Sequence, residues 1–539
     1  MIGVVARHDE AEAVAEFFEL FKTPWEMAVQ GRRYSVLLAA TKLPHDVDAD
    51  LVLMYGSASS EVDDRAAVRV TPIDEVVEVD WAGSAFPIYT GAAKFEGPES
   101  GGVLKTKAGQ VDYRRRSDAG TTWRIGYNLF SEVRYLLSSG QPAKFALIPT
   151  LELHIALLRT LLVQSGMSFV EVPPRPEGYG FICCLTHDID FFGIRRHRWD
   201  RTLAGFAYRA TVGTLVQLVQ GRRTITEAVQ NWIAAVSVPF VFAGALRDFW
   251  QPFEDYAEAD GNRGSTYFLA PFKHKAGRSP EGSANRVRAL PYDVTDIGDE
   301  LRKVRRGRTE FAVHGIDAWH DVESGRAERL QLTQAVGAQG VGVRMHWLYS
   351  KPDSARCLED AGFDYDSTCG YNDTVGFRAG TAQAFLPAGR SSLMELPLSI
   401  MDSAMFYPGR MSLSPARGMK LCRAIISAAR RFGGALVINW HDRSLAPERL
   451  WGRAYRELLA HVEQDGPVWF ATAGEAVDWF RWRRSIRFCA GSGSSVTVEA
   501  SAPSTGLPAA RLVVHRAQGS GPSTGEQPFL GGQVVCSLA

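Results

Sequence analysis

Residues 183–192 read CCLTHDIDFF, an apolar run that ends in two carboxylates, Asp188 and Asp190. The run is short and follows the segment PPRPEGYG, which predicts a buried strand rather than a helix. Side chains alternate along a strand, so Thr186, Asp188 and Asp190 share one side. Two carboxylates this close raise each other's pKa unless a cation or a proton lies between them. The stretch therefore predicts either a cation site or a pair of aspartates that caps a turn.

The composition indicates a globular protein with several domains. The chain has 539 residues, 45% of them hydrophobic and 22% charged, so at roughly 150 residues per domain we expect about three domains. Sixty basic residues balance sixty acidic ones, which gives no reason to expect nucleic acid as a partner. Seven scattered cysteines without a C-x-x-C pair, and an N-terminus without the features of a signal peptide, predict a cytoplasmic protein.

One apolar segment raises the question of membrane contact. Residues 233–246 read IAAVSVPFVFAGAL, a run of fourteen residues that contains Pro239. A helix needs about 20 apolar residues to cross a bilayer, so this segment is either a core helix or an interfacial one. The core role is favoured, because short apolar helices are usually buried in their own protein. We expect at most peripheral contact with a membrane.

The chain divides into three regions. In residues 1–172, short strand candidates alternate with helical segments, which predicts an α/β domain, and its strand ends carry no cluster that would supply a catalytic group. A proline-rich joint at 173–176 ends this region. Residues 176–488 contain eight strand-like runs and a helical insertion at 195–262. Residues 489–539 break into short alternating pieces, which predicts a β-rich or partly disordered tail.

The middle region has the pattern of a β/α barrel. Strand-like runs that alternate with helices predict parallel strands closing into a barrel, and active sites in such barrels lie at the carboxyl ends of the strands. Polar residues occupy five of these ends: Asp188, Asp190, His314, Arg344, His346, Asp366 and His441. One such residue alone is usually a polar group that forms ordinary hydrogen bonds. Polar residues at the carboxyl ends of five strands, however, predict a functional site.

Five motifs in the middle region, taken in their order and spacing, resemble those of the polysaccharide deacetylases of the NodB-homology type. That family has a deformed β/α barrel, and the resemblance implies a divalent metal ion, with Zn²⁺ the first expectation. THDID is similar to the first motif, which implies that Asp188 is the catalytic base and Asp190 a metal ligand. HGIDAWH is similar to the second motif, which implies that His314 and His320 are metal ligands.

The other three motifs complete the implied site. VRMHWL is similar to the third motif, whose arginine, here Arg344, orients the base. GFDYDST is similar to the fourth and places Asp366 at a strand end near the pocket, and VINWH is similar to the fifth, which implies that His441 is the general acid. An imidazole needs a carboxylate neighbour to stay protonated at neutral pH. Asp442 points to the other side if its strand continues, so Asp366 is the expected partner of His441.

The spacing of the two histidines departs from the family pattern. The family's pair is four residues apart, about 40° around a helix, whereas His314 and His320 are six apart, about 240° around it. They do not share one helical face. Either Gly315 permits a loop that brings them together, or Asp317 or His346 supplies the third ligand instead. We favour His320.

The resemblance implies hydrolysis of an N-acetyl or N-formyl group on an amino sugar or polysaccharide precursor. It also implies a role in bacterial surface polysaccharide or lipopolysaccharide biosynthesis, in the cytoplasm or peripherally at the inner membrane. RRHRWDR at 195–201 is either a solvated basic turn or a rim that binds phosphate or uronate groups. A second hypothesis is a catalytically silent carbohydrate-binding barrel, with Trp319, Trp347 and Trp440 as sugar platforms. Nothing in the sequence predicts an oligomeric state.

Overall fold

This computed structural model contains two large sheets, which lie in two successive regions of the chain. It describes residues 1–43, 48–98, 101–117, 120–221, 223–304, 308–338, 340–449, 451–490, 495–518 and 521–538. The predicted fold class is confirmed: a deformed parallel β/α barrel is preceded by an α/β domain and followed by a β-rich segment.

The first region is a mixed α/β layer. Its six-stranded sheet has the order β11-β12-β4-β3-β1-β2 and is parallel except where β11 meets β12. Helix α1 buries Val14, Phe17, Phe18 and Phe21 at helical spacing against this sheet. The elements are β1 (Ile2–Val5), α1 (Ala11–Phe21), β2 (Trp25–Met27), β3 (Tyr34–Ala39), β4 (Ala49–Tyr55), α2 (Glu61–Arg65), β5 (Arg69–Ile73), β6 (Val77–Trp81), β7 (Ser84–Ile88), β8 (Ala92–Glu96), β9 (Lys105–Thr106), β10 (Gly109–Gln110), β11 (Asp112–Ser117), β12 (Gly120–Ile125), α3 (Leu129–Ser138), α4 (Thr150–Gln164) and β13 (Phe169–Glu171).

The second region alternates strands with helices, as the sequence predicts. Its elements are β14 (Ile182–Ile189), α5 (Arg201–Tyr208), α6 (Thr214–Val219), α7 (Ile225–Phe242), α8 (Phe253–Asp260), β15 (Ser265–Leu269), β16 (Arg278–Ser279), β17 (Gly282–Ser283), α9 (Gly298–Val304), β18 (Thr309–Gly315), α10 (Val322–Val336), β19 (Val343–Met345), α11 (Ser354–Ala361), β20 (Tyr365–Asp366), β21 (Met394–Glu395), β22 (Leu398–Met401), α12 (Asp402–Phe406), α13 (Pro415–Phe432), β23 (Ala435–Asn439), α14 (Gly452–Gln464), β24 (Trp469–Phe470) and α15 (Ala473–Ser485).

Nine parallel strands form the curled sheet of the barrel. Their order is β21-β20-β19-β18-β15-β14-β23-β22, and β24 also pairs with β14. All eight residues of β14 are buried, because both faces of a parallel sheet are covered, and this explains its apolar sequence. The outermost strands, β21 and β22, follow one another directly in the chain, so the two ends of the sheet curl toward each other. All the carboxyl ends therefore open at one mouth.

The insertion between β14 and β15 forms a helical hairpin. Helix α5 continues through the π-helical turn Arg209–Gly213 into α6, and α7 returns beside it. Asn231 Nδ2 donates a hydrogen bond to Thr214 Oγ1 (2.8 Å) where the two arms meet. Helix α7 includes most of residues 233–246 and only 22% of it is buried, so the favoured core role is wrong. Among the described residues, α7 alone is long and apolar enough to cross a membrane, by length and composition only.

The three regions pack against one another. The Arg483 side chain of α15 is buried and donates to the backbone carbonyls of Leu20 and Val172. Strand β13 pairs with the third region, whose strands are β25 (Arg487–Ala490), β26 (Ser495–Ala500), β27 (Ala510–Gln518), β28 (Gly521–Phe529) and β29 (Gly532–Ser537). These strands form the sheets β25-β26-β29 and β13-β27-β28, so the third region joins the end of the first to the barrel.

Candidate metal and catalytic site

Three ligand atoms converge at the mouth of the barrel. Asp190, His314 and His346 each offer one atom, and these atoms lie within 4.8 Å of one another. Asp190 Oδ1 lies 3.3 Å from His314 Nε2 and 3.7 Å from His346 Nε2. Asp190 follows β14, His314 lies at the end of β18 and His346 follows β19, so the parallel strands bring together residues far apart in sequence.

The donor set fits a divalent metal ion. Asp190 Oδ1 and His314 Nε2 are buried and have no hydrogen-bond partner in the described part of the chain. His314 Nδ1 lies 3.2 Å from the carbonyl oxygen of Arg344, which only accepts, so Nδ1 carries the proton and Nε2 presents its lone pair to the cluster. One carboxylate oxygen and two imidazole nitrogens form a ligand set that suits Zn²⁺.

The charge states of the cluster also suit a metal. Burial lowers the pKa of His346 to about 3, so this imidazole is neutral at neutral pH, as a ligand must be. Burial alone would raise the pKa of Asp190, but the neighbouring His346 and His314 outweigh it and hold that pKa below its usual range. Asp190 is therefore an ionised carboxylate.

The structure corrects the expectation that His320 is a ligand. His320 Nδ1 lies 3.2 Å from Lys351 Nζ, and its Nε2 lies 3.3 Å from an Arg278 guanidinium nitrogen, outside the cluster. Asp317, the first alternative, accepts from the backbone N–H of Arg278 and lies 3.2 Å from a lysine ammonium. His346, the second alternative, lies in the cluster with Asp190 and His314 instead. The chain leaves the mouth after Gly315, so a residue on the loop before α10 no longer faces the cluster.

Asp188 lies beside the cluster and is held by two donors. Arg344 Nη1 donates to Asp188 Oδ1 (2.9 Å), and Asn439 Nδ2 donates to Asp188 Oδ2 (2.8 Å). Arg344 is itself fixed by Thr186 Oγ1 (2.8 Å) and by the ring of Phe268, 4.1 Å from its guanidinium carbon. Burial opposes ionisation of Asp188, but the Arg344 charge outweighs it and lowers the pKa. Asp188 is thus an ionised carboxylate in fixed orientation, as a base requires.

His441 lies on the other side of the same carboxylates. Its Nε2 is 4.0 Å from an oxygen of Asp188 and 4.0 Å from one of Asp190. Its Nδ1 lies 2.6 Å from Asp402 Oδ1, and its backbone N–H donates to Asp402 Oδ2 (2.8 Å). Burial would lower the pKa of His441, but the Asp402 carboxylate outweighs it and raises the pKa to about 10. His441 is therefore protonated at neutral pH, with Nε2–H directed toward the cavity.

Asp366 is not the partner of His441, contrary to expectation. Its carboxylate accepts from the backbone N–H and the hydroxyl of Thr368 and interacts with Glu395. Burial raises the pKa of Asp366 to about 6 and that of Glu395 well above its usual range, so this pair tends to hold a proton. Strand β20 does not pair with β23, whereas Asp402 directly follows β22, the neighbour of β23.

Asn439 and Asp402 contact Asp188 and His441 in the candidate site, and the sequence analysis missed both. Asn439 lies inside the VINWH motif, two residues before the proposed acid. Asp402 follows the strand-like run LPLSI by two residues, so it lies at the carboxyl end of a strand, as the other site residues do. Applying that criterion to every run would have found Asp402.

The site opens into a cavity of about 410 Å³, a size that suits a sugar-sized ligand. Asp188, Asp190, His314, His346 and His441 lie in its wall, and none of the described residues of the first region lines it. The wall also contains these arginines and aromatic residues: Arg201, Arg209, Arg410, Arg443, Arg449, Phe191, Trp347, Tyr407 and Trp451.

The tryptophans proposed as sugar platforms differ in exposure. Trp319 and Trp440 are buried in the hydrophobic core, so their ring faces are not available to a sugar. Trp347 lines the cavity. Of the three tryptophans proposed as sugar platforms in a catalytically silent barrel, only Trp347 is therefore available to a sugar in the cavity.

Comparisons with known proteins place these observations in context. No family model matches the sequence, and no curated protein of similar sequence is found. A solved structure described as a polysaccharide deacetylase from Mycobacterium smegmatis is similar, with 21% identity, a TM-score of 0.34, and coverage of 58% of this chain and 95% of that one. A protein described as a polysaccharide deacetylase from Pseudomonas aeruginosa PAO1 is 15% identical, with a TM-score of 0.34 and coverage of 56% and 91%.

A third similar structure is Puue allantoinase, with 14% identity, a TM-score of 0.35, and coverage of 57% of this chain and 92% of that one. The structures found thus include polysaccharide deacetylases, the class that the sequence motifs resemble. The site residues are assigned from the geometry of this chain alone.

Proposed function

We propose that the protein is a metal-dependent hydrolase that removes an N-acyl group, acetyl or formyl, from an amino sugar. One observation carries this proposal: an ionised carboxylate, Asp188, and a protonated imidazole, His441, lie side by side next to the Asp190, His314 and His346 cluster. A base, an acid and a metal site in one cavity are the parts that amide hydrolysis needs.

Asp190, His314 and His346 would hold the metal, with Zn²⁺ the first expectation. When bound, such an ion acts as a Lewis acid toward the acyl oxygen and lowers the pKa of water. It also offsets the repulsion between Asp188 and Asp190, which explains why two aspartates close an apolar strand.

The protein residues move the protons. Asp188, oriented by Arg344 and Asn439, takes a proton from the water whose oxygen attacks the acyl carbon. His441 donates its Nε2 proton to the departing nitrogen as the C–N bond breaks, while Asp402 holds Nδ1 and stabilises the imidazolium. The products are the free amine and the carboxylic acid. We further propose that the substrate is an intermediate of surface polysaccharide or lipopolysaccharide assembly.

Metal content and activity test this proposal together. The purified protein should contain about one divalent ion per chain, by analogy with single-metal hydrolases. Asp190→Ala and His346→Ala should lose it, whereas His320→Ala, the matched control, should retain it. His441→Gln should retain the metal and lower the deacylation rate on the order of 100-fold or more.

The substrate screen should include N-acetyl and N-formyl amino sugars, both free and attached to nucleotide or lipid carriers. A wild-type protein that binds no metal would contradict the proposal and favour the silent carbohydrate-binding barrel.

A further inference from the structure

The cavity contains a group of arginines that the proposed hydrolysis does not use. Arg209, Arg443 and Arg449 line it beside His441, and none of the three has a carboxylate within ion-pair distance in the described part of the chain. Arg443 is the most enclosed, with 8% of its surface exposed. Its guanidinium carbon lies 3.5 Å from the ring centre of Phe191. Enclosed cations without counter-ions cost free energy.

The neighbourhood of these arginines compensates their charge only in part, through the rings of Trp250, Tyr407 and Trp451. Arg209 Nε is buried without a hydrogen-bond partner. Burial and repulsion by the Arg449 cation lower the pKa of Arg443 to about 10. The buried carboxyl groups of Asp442 and Glu448 favour the arginine cations, but neither forms an ion pair with them in the described part of the chain, and Glu448 Oε1 accepts a hydrogen bond from the indole N–H of Trp250 (3.1 Å). Three clustered guanidinium groups that face a cavity are suited to an anion with several oxygens.

We propose that Arg209, Arg443 and Arg449 bind a phosphate or diphosphate group of the substrate. This inference rests on the proposed function and narrows its substrate to a sugar attached to a phosphate-containing carrier. Of the anion rim expected at residues 195–201, Arg201 lines the cavity, but two of the other arginines do not serve as a rim. There, Arg195 donates to the backbone carbonyls of residues 241 and 246, and Arg196 lies 3.4 Å from Asp296, so both brace the fold.

Titration of the full-length protein with inorganic pyrophosphate tests the arginine site without any catalysis. Arg209→Gln and Arg449→Gln should each weaken binding about 10- to 100-fold, since each removes charge-assisted hydrogen bonds. Arg456→Gln, an exposed arginine of α14 outside this cavity, is the matched control and should bind as the wild type does. Melting temperature checks that each variant folds.

Pyrophosphate also chelates metals, so the same titration is run on Asp190→Ala. Retained affinity in Asp190→Ala assigns the anion to the arginines. Affinity that is lost in Asp190→Ala but unchanged in Arg209→Gln and Arg449→Gln overturns the proposal, and so does the absence of pyrophosphate binding in the wild type. Failure of the proposed function would show instead as absent metal or absent deacylation, with pyrophosphate binding intact.

A separate observation concerns the helical hairpin of α5, α6 and α7. In the described part of the chain, 23 large apolar residues are exposed, and 13 of them lie within residues 199–246. The contact between the two arms buries small or polar residues such as Ala210, Thr214, Ala228 and Asn231. The hairpin therefore exposes many large apolar side chains while the contact between its arms buries small or polar ones, the reverse of a helix pair that faces water.

The exposed residues of α7 form one continuous stripe. Successive residues advance about 100° around a helix, which places the six exposed residues within an arc of about 100° and the buried Asn231, Ala234 and Val241 on the opposite side. The stripe consists of Ile225, Val229, Trp232, Ile233, Val236 and Phe240.

The first arm of the hairpin repeats the pattern. Tyr208, Val212, Leu215 and Val219 are exposed at intervals of three or four residues along α5, the π-helical turn and α6. The other side of the hairpin packs on the barrel domain, where Phe206, Ala234 and Val241 belong to the same cluster as Trp250 and Ala446. Among the residues that the structure describes, these two apolar stripes have no partner, while the opposite side of the hairpin is anchored.

The charge of the insertion identifies the chemistry of the occupant. Residues 195–247 contain eight arginines and two acidic residues, a net charge of +6 in a chain whose total is zero. An apolar face within a basic segment complements an anionic lipid surface, where apolar side chains enter the interface and cations meet the head groups. Arg201 and Arg209 of the hairpin also line the catalytic cavity, so docking would bring the cavity close to the membrane.

We infer that this hairpin docks on an anionic lipid bilayer and lies in its interface. Full-length protein should co-sediment with vesicles of phosphatidylcholine and phosphatidylglycerol, less with phosphatidylcholine alone, and less at high salt. Ile233→Glu combined with Val236→Glu should weaken this binding about tenfold or more. Leu330→Glu, an exposed apolar residue of α10, is the matched control and should bind normally.

Sedimentation velocity without lipid separates docking from self-association. The docking inference expects the wild type and the double variant to have the same oligomeric state and the same melting temperature. A wild-type dimer that the double variant dissociates, together with no vesicle binding, would overturn it in favour of a second copy of the chain. Vesicle binding that is equal in the double variant and the wild type would also overturn it.

Discussion

Replacing Asp402 by asparagine tests the acid of the proposed reaction directly. His441 Nδ1 lies 2.6 Å from Asp402 Oδ1, and this carboxylate is the main reason that the pKa of His441 is raised to about 10 despite burial. Asparagine keeps the shape and removes the charge. Without that charge, burial dominates, so the imidazole should titrate near or below its ordinary value of 6.5.

The size of the shift follows from the charge that is removed. Two opposite unit charges about 4 Å apart interact by about 4 kcal/mol at an effective dielectric constant of about 20. At 1.36 kcal/mol for each pKa unit, this corresponds to about 3 units. Asp402→Asn should therefore lower the pKa of His441 by about 3 units, a change comparable to the rise from 6.5 to about 10 in the native site. A bound divalent ion lowers the pKa of His441 in both the wild type and Asp402→Asn, so the two proteins are compared at equal metal content.

Nuclear magnetic resonance of protein labelled at histidine Cε1 measures this pKa without a substrate, and His441→Gln assigns the signal. Asp366→Asn is the matched control, because it removes a buried carboxyl at another strand end and should leave the titration unchanged. His441 must be protonated to act, so activity is lost as pH rises through its pKa, and in Asp402→Asn the alkaline limb should move to lower pH by the same amount. An unchanged titration in Asp402→Asn, or a shift in Asp366→Asn, would refute the assignment of Asp402.

Three further predictions concern the base and the packing of the regions. Arg344→Lys should raise the pKa of Asp188 and lower the rate about tenfold or more with metal content unchanged, since a lysine does not reproduce the guanidinium geometry; a wild-type rate would contradict this. Arg483→Ala should lower the free energy of unfolding by about 3 kcal/mol in urea denaturation, because several buried carbonyls lose their donor, and an unchanged midpoint would count against that role. Neighbouring cations lower the pKa of Glu171 from 4.5 to about 2 against the effect of burial, so its ionised form should contribute up to about 3 kcal/mol above pH 4.5, lost as pH falls toward 2. Glu171→Gln should therefore be less stable than the wild type at pH 7, by a difference that narrows below pH 4.5; a constant difference would exclude the linkage.

The third metal ligand shows the limit of reasoning from sequence. His320 and His346 were both candidates, and the choice depended on where the chain turns after each strand. After β19, Trp347 and Leu348 adopt positive φ angles of 65° and 54°, and this turn leaves His346 at the mouth of the barrel. Two successive non-glycine residues in this conformation are uncommon and have no clear sequence signature.

The partner of His441 shows the same limit in another form. Asp366 and Asp402 both follow strands of the barrel, so strand position alone does not distinguish them. The order of strands decides the matter, because β22 pairs with β23 while β20 lies toward the other end of the sheet. That order depends on contacts between distant segments, which no local pattern encodes.

The sequence by itself determined the class of the barrel and the side on which its reactive groups lie. The apolar run of β14 and the period of two along a strand place Asp188 and Asp190 at the mouth, while His187 points away and contacts Asp260 (3.0 Å). These features are local, so sequence order is enough to predict them. Only the tertiary structure decided which histidine joins Asp190 and His314, which aspartate contacts His441, and how exposed α7 is. Each of these depends on which segments pack together, since a strand end or an apolar helix face has no partner until the whole chain has folded around it.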